Sequence, residues 1–218
     1  MNKKFNEKRY LKRECTHKVD LIRIKKIKEL IKSGNKKILD VGCYDGIVSE
    51  EFIKDNMVVG LDHSIRALIN NKLKEKCVSD AIKIPMKKDT FDYVIAGEII
   101  EHIFDTDKFI KELKRVLKKK GELIITTPNL AGFGSRIMLL IGKKPFMIEN
   151  SLDKNASGHI RYFTFKELKT LLEKHGFRII SFKSNVVYIN NKIMSKRIAD
   201  ILPTLGQILI VKAVKEGT

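Results

Sequence analysis

Long apolar runs are missing from this 218-residue chain. A membrane span needs roughly 18 uncharged apolar residues, and the longest candidates, "IMLLIG" and "ILPTLGQILIV", fall well short. Cysteine is scarce as well. Cys15, Cys43 and Cys77 are odd in number and lack close metal-type spacing, which argues against a disulfide framework or a zinc site and for a reducing, cytoplasmic setting. The start, "MNKKFNEKRYLKRE", is basic but leads into no apolar core, so it does not read as a secretory signal. Internal repeats and low-complexity segments are also absent, and nothing marks a second domain. The expectation is a single domain over 1–218.

Acidic residues are few: 26 Asp and Glu against 44 Lys and Arg leave a formal charge of +18. Such an excess invites a nucleic-acid partner. It is spread along the chain, however, and carried mostly by lysine, as in a proteome biased toward A/T-rich codons or a heat-adapted surface. The one dense stretch is residues 1 to 37, with fourteen Lys or Arg against four acids, and 1–35 reads as a basic, helical N-terminal segment. No aromatic–basic interleaving of the kind that stacks bases accompanies it. Nucleic acid therefore ranks behind bulk composition, and peripheral contact with a membrane is the other partner the charge allows.

What is there is a rhythm. Near-helical spacing over 19–32 predicts a helix, after which apolar runs and helical patterns alternate. Strands are expected at "KKILDV", "MVVGLD", "KCVSD", "FDYVIAG" and "GELIITT", the last stopped by Pro128. Helices are expected over 46–54, over "SIRALINNKL" with Ser64 as N-cap, and over "TDKFIKELKRVLKKK". Residues 129–163 break the rhythm, with only a short apolar helix around "SRIMLLIG". A helix at "TFKELKTLLEKHG" then precedes two strands, "FRIISFKSNVVY" and "GQILIVKAVK", joined by the basic amphipathic "NKIMSKRIADIL". The pattern predicts an α/β, doubly wound, mostly parallel sheet: five strands joined by right-handed crossovers and two more closing it, at least one antiparallel. Segments 129–163 and 188–203 read as lids over an acceptor site.

The first turn, "ILDVGCYDG" (38–46), is where chemistry is expected. A Walker-type phosphate loop needs a Gly-Lys-Ser/Thr ending, and this turn ends Asp45-Gly46-Ile47. A dinucleotide turn needs three glycines in the G-x-G-x-x-G spacing to admit a pyrophosphate, and only Gly42 and Gly46 are present, flanked by Asp40 and Asp45. Two carboxylates suit a ligand that is cationic or rich in hydroxyl and amino donors. S-adenosylmethionine is such a ligand, with a sulfonium, an ammonium and a ribose diol. Asp62, 22 positions after Asp40 at the tip of the second strand, is placed to accept both ribose hydroxyls. Asp80 and Ala81 end the third strand, where a carboxylate can take the adenine amino group, and "AGEIIEH" ends the fourth.

With "ILDVGCYDG", "VVGLDHS", "VSDAIKIPMKKDTFDYVIAGEIIEHI", "FIKELKRVLKKKGELIITTPN" and "GHIRYFTFKELKTLLEKHGF" in this order, the chain resembles the class I S-adenosylmethionine-dependent methyltransferases. The branch it looks most like is the small-molecule one of ubiquinone and menaquinone biosynthesis. The resemblance spans roughly 36–180 and implies a Rossmann-like sheet of seven strands with an antiparallel last strand. It also implies that Asp40, Gly42 and Gly46 approach the methionine end of the cofactor, Asp62 its ribose and Asp80–Ala81 its adenine. Gly97 and Glu98 would face the amino-acid moiety with backbone groups. Cys43, Tyr44 and His63 flank these positions. Cys43 reads as a packing residue rather than a nucleophile. Tyr44 stands where the family often has glycine, and its ring either walls the sulfonium or points outward.

No metal is expected. The acceptor is expected to be a small or lipid-linked molecule, methylated on oxygen, with RNA methylation or a non-catalytic basic binding protein on the same fold as alternatives. His102 follows the fourth strand as either a general base or a structural histidine at a helix start. His159 and Arg161 in "GHIRYF" either line an acceptor site, with Arg161 as a fork for an anion, or anchor a loop.

Overall fold

The computed structural model describes residues 18–32, 34–145, 147–148, 158–188 and 194–217. The basic stretch up to residue 17, Cys15, and parts of both expected lids (149–157 and 189–193) lie outside the described residues.

Helix α1 (Lys18–Leu30) leads into β1 (Lys37–Val41), β2 (Met57–Asp62), the short α2 (Ile65–Ile69), β3 (Glu75–Val78) and β4 (Phe91–Gly97). Then come α3 (Thr106–Val116), β5 (Leu117–Pro128), α4 (Phe133–Leu140), α5 (Phe165–Lys174) and β6 (Phe177–Ser184). A small hairpin, β7 (Val187–Tyr188) with β8 (Met194–Ser195), α6 (Lys196–Ile201) and β9 (Ile208–Lys215) complete the chain. The main sheet runs β3-β2-β1-β4-β5-β9-β6. β1 to β5 pair in parallel, and β9 is antiparallel to both neighbours, so the expected seven-stranded sheet with an antiparallel last strand is found.

Alternation along the central strands assigns side chains to two layers. Leu39, Val94, Leu123 and Val211 face α3 and α5, whose Phe109, Leu113, Leu168 and Leu172 are fully buried. Ile38, Tyr93, Ile124 and Ile210 face α1, which contributes Ile24, Ile27 and Leu30. Two lysines pin α1 across the sheet. Lys26 donates to Ser184 O and pairs with Asp200, and Lys212 reaches Leu30 O at 2.6 Å and Glu122 at 2.8 Å.

Three expected helices are shorter than their patterns. Over 46–54 there is only a 3₁₀ turn, Ser49–Glu51, whose Ser49 hydroxyl is tied to Asp40 at 2.6 Å, drawing the segment onto β1. The helix from Ser64 ends at Ile69; Ser64 does cap it, accepting from Ala67 N. The helix from Thr106 stops at Val116, because Leu117 is already paired with Phe91 of β4. The strand expected over 177–188 ends at Ser184, and Val187–Tyr188 pair instead with Met194–Ser195, in a segment expected as an amphipathic linker.

Candidate active site

Because β1, β2, β3 and β4 are parallel, their carboxyl ends share one edge, and residues 40–46, 62–63, 80–81 and 97–102 come together there. Gly42 and Gly46 adopt φ of 76° and 80°, the left-handed region that favours glycine. A Cβ at Gly42 would stand 2.7 Å from Ile99 Cδ1, and one at Gly46 2.5 Å from Asn71 Oδ1. Both glycines therefore make room for the protein's own side chains. Asn71, 3% exposed, holds the turn through its amide, donating to Tyr44 O (3.2 Å) and accepting from Leu73 N (2.8 Å). Tyr44 itself has φ 45°, which for a residue with a Cβ costs roughly 1–2 kcal/mol. Left-handed backbone at this position is one that glycine adopts without that cost. The Tyr44 N–H donates to Asp62 Oδ2 (3.0 Å) while Ser64 N–H donates to Asp62 Oδ1 (2.8 Å), so Asp62 is buried and fixed by backbone on both oxygens. His63 Nδ1 lies 3.5 Å from Asp62 on a side chain that is 58% exposed. Asp80 is exposed and accepts from Ile82 N at 3.0 Å, next to buried Ala81.

Asp40 is nearly inaccessible, and burial pushes its pKa up to about 6, a rise that the Ser49 hydroxyl and the Arg23 charge only partly offset. Arg23 was not singled out by sequence reasoning. It comes from α1, is 7% exposed, and lies against Gly97, whose added Cβ would meet Nη1 at 3.2 Å. Its Nη1 donates to Thr126 Oγ1 at 3.4 Å, and Thr126 donates to Glu98 Oε1 at 2.8 Å. Arg23 Nε has no hydrogen-bond partner, with Asp20 at 3.8 Å as its ion pair. A buried guanidinium with spare donor capacity beside the β1 and β4 ends is ready for an anionic group. The only sequence signal was an arginine among lysines on the apolar side of the helix pattern. Cys43 is buried, and burial, with Asp40 and Asp62 nearby, pushes its thiol far above the usual range, which speaks against a nucleophile.

Beyond β4, a 3₁₀ turn (Ile100–His102) presents Glu101 and His102. Glu101, 1% exposed, accepts from Thr127 Oγ1 at 3.0 Å, while its other oxygen is buried without a hydrogen-bond partner. Burial first, then the neighbouring Glu98, raises its pKa well above the usual carboxylate range. His102 Nδ1 lies 3.2 Å from Gly158 O, and a carbonyl can only accept, so a hydrogen bond here is donated by Nδ1–H, which in the neutral ring leaves the lone pair on Nε2. The rings of His102 and His159 are 4.9 Å apart. Glu101, His102 and His159 each bring one donor atom to within 4.8 Å of the others, a set that could hold a divalent cation where none was expected. Glu101 was legible only as the second acid of "EIIEH". Arg161 is not an open fork. Its Nε donates to Ile103 O (3.1 Å) and Nη2 to Phe104 O, and its N–H and that of Ile160 both donate to Glu101 O. Of the two readings of Arg161, these contacts support the loop anchor.

A family model described as a methyltransferase domain matches residues 8–182. The chain belongs to the methyltransferase family. An uncharacterised protein of Methanocaldococcus jannaschii is 31% identical over 198 residues, covering 86% of this chain and 83% of that protein. A ubiquinone biosynthesis O-methyltransferase of Pelagibacter ubique is 36% identical over 132 residues, 52% of this chain and 55% of that enzyme. Among solved structures, an S-adenosylmethionine-dependent methyltransferase from Archaeoglobus fulgidus has a TM-score of 0.66 at 19% identity, covering 90% of this chain and 94% of that one. The [4+2]-cyclase SpnF has a TM-score of 0.64 at 18% identity, covering 90% and 81%. These structures speak for the fold alone. The family makes this methyltransferase S-adenosylmethionine-dependent and of class I, distantly related to the ubiquinone enzymes. The chain's own residues fit that cofactor: a row of acids for its hydroxyl and amino donors, buried Arg23 for its carboxylate, and no lysine in the turn to receive a phosphate.

Proposed function

We propose that this methyltransferase acts on an oxygen of a small or lipid-linked acceptor, with His102 as the base. In this reading Asp62 accepts the ribose hydroxyls, and Asp80 and Ala81 contact the adenine. Arg23, Asp40 and the backbone of Gly97 and Glu98 hold the methionine end, with Cys43, Tyr44 and His63 flanking. Bound S-adenosylmethionine supplies a methyl group already activated on a sulfonium. The chain's task is then to align the acceptor oxygen, exclude water and remove its proton. His102 Nε2 suits the last task because Gly158 O fixes its tautomer. That contact, beside the buried Glu101, is the observation that carries the proposal. The named activity of the Pelagibacter relative supports an oxygen acceptor.

His102→Ala should lower turnover by roughly two to four orders of magnitude while leaving affinity for S-adenosylhomocysteine unchanged. Full activity would return His102 to a structural role. A second reading is favoured by the grouping of Glu101, His102 and His159, whose donor atoms lie within 4.8 Å. A divalent cation held there would take the acceptor oxygen and lower its pKa, and a chelator would then abolish turnover reversibly. RNA methylation is the rival substrate class, and it would give product formation falling steeply with salt.

A further inference from the structure

Two helices at the carboxyl edge leave their apolar residues uncovered. On α4 and just beyond it, Leu139, Leu140 and Ile141 are 58%, 81% and 58% exposed; on α6 and just beyond it, Ile201 and Leu202 are 77% and 50% exposed. Both helices pack against β7, so the residues belong to one side of the molecule. β5 and β6 run in the same direction, each antiparallel to β9 between them, so α4, which follows Pro128, and β7, which follows Ser184, both lie at the edge where the cofactor acids converge. Phe104, 83% exposed just after the turn bearing His102, is a third apolar group at this edge.

Along α4 and α6 the charge is almost all of one sign, whereas Phe104 is followed by Asp105 and Asp107. Residues 129–145 contain no acid and carry Arg136, Lys143 and Lys144. Residues 194–208 carry Lys196 and Arg197 and a single acid, Asp200, which is taken up by Lys26. Exposed leucines and isoleucines on segments that also carry cations, in helices too short to cross a bilayer, are the makings of a surface that lies on anionic lipid with its apolar side chains in the headgroup region. A protein partner would call for a polar, mixed-charge rim, and nucleic acid would leave the leucines without a function.

We infer that α4 and α6 form a docking surface for an anionic lipid bilayer, which seats the mouth of the active site on the membrane. The inference goes beyond the lipid-linked acceptor of the proposed function, and its test needs no acceptor. The chain has no tryptophan, so Leu140→Trp provides a single reporter. Its emission should shift to the blue when vesicles of phosphatidylcholine with phosphatidylglycerol are added, and not with phosphatidylcholine alone. In co-sedimentation with the mixed vesicles, Lys143→Glu/Lys196→Glu should weaken binding about thirtyfold or more, since each surface cation near an anionic membrane counts for roughly 1 kcal/mol. Because the whole chain is basic, a matched control is needed. Lys37 and Lys54 are exposed and line an open cleft at the opposite edge of the sheet, and Lys37→Glu/Lys54→Glu should leave vesicle binding within a factor of two or three. Unchanged affinity for S-adenosylhomocysteine establishes that each variant is folded. Equal losses from both pairs of reversals, no blue shift, or self-association of the protein that Leu140→Glu abolishes would each overturn the docking surface. No vesicle binding by the wild-type chain, with its turnover on a soluble acceptor intact, would sink this surface and spare the proposed function.

Discussion

The cofactor half of the sheet edge and the acceptor half are built by different means. From Gly42 to Glu98 the chain is held largely by side-chain oxygens that accept from backbone N–H groups, Asp62 from Tyr44 and Ser64 and Asn71 from Leu73, with the Asn71 amide also donating to Tyr44 O. Asp62, like Asp40 just before this stretch, is nearly inaccessible. From Asn129 onward the acceptor edge is held by cationic or amide side chains reaching carbonyls, such as Asn129 to Thr204 O and Gly206 O, and Arg161 to Ile103 O, while Leu139, Leu140, Ile141, Ile201 and Leu202 stand exposed. Fixing an invariant cofactor calls for preorganised acceptors. Meeting a bulky apolar acceptor, or the membrane it comes from, calls for surface that becomes covered only in use.

Asp40 offers the strongest way to test whether the cofactor half trades stability for function. Its folded pKa of about 6 lies above the 3.8 of an ordinary aspartate, so the folded state binds the proton more tightly than the unfolded one. Its contribution to stability is therefore greatest below pH 4 and is lost as pH rises through about 6. The cost at neutral pH is on the order of 3 kcal/mol. Asp40→Asn should then be more stable than wild type at pH 7 by about 1–3 kcal/mol and near wild type at pH 4, as read by denaturant melts at the two pH values. The same variant should bind S-adenosylmethionine more weakly at pH 7. A variant with no gain in stability would mean that the carboxylate is solvated after all, and the contrast between the two halves would weaken.

Asp62 sharpens the comparison from the ligand's side. Asp62→Ala removes a buried charged acceptor, which should cost about 2–3 kcal/mol in S-adenosylhomocysteine binding, a tenfold or larger loss by calorimetry. Because the carboxylate also fixes Tyr44 and Ser64, the loop should loosen too, and hydrogen exchange at those two amides should accelerate. Normal affinity would remove the ribose role.

Nearly all of the sheet was legible before the structure, because buried parallel strands read as apolar runs and their acids fall at the ends. The turn was legible in composition but not in cause. Gly46 is a glycine because the Asn71 amide occupies the place of its Cβ, a contact 25 residues away that no local pattern announces. Arg23 and Glu101 were missed for a similar reason. Arg23 is a charged residue in a helical pattern and Glu101 the second acid at a strand end, and only tertiary packing places the guanidinium against Gly97 and leaves a Glu101 oxygen without a partner. The helix expected over 46–54 failed because Ser49 is drawn to Asp40 rather than left free to propagate a turn.

The smallest expected effect tests the acceptor half at Arg161. An arginine beside two histidines reads as an anion fork, and Arg161→Lys would then raise the acceptor's KM by replacing two parallel hydrogen bonds with one point charge. The guanidinium is instead engaged with the carbonyls of Ile103 and Phe104. Together with the two N–H groups donated to Glu101 O, it ties the strand-like stretch after Gly158 onto the turn that carries His102. A lysine can keep one of those carbonyl bonds. Arg161→Lys should therefore cost about 0.5–1 kcal/mol of stability, the worth of one exposed hydrogen bond, and leave the KM for the acceptor unchanged. Because His102 takes its tautomer from Gly158 O, a small loss in kcat should accompany the loosening, so kcat and KM part company. A raised KM with unchanged stability would give Arg161 back to the acceptor and make that half of the edge as preorganised as the half that holds the cofactor.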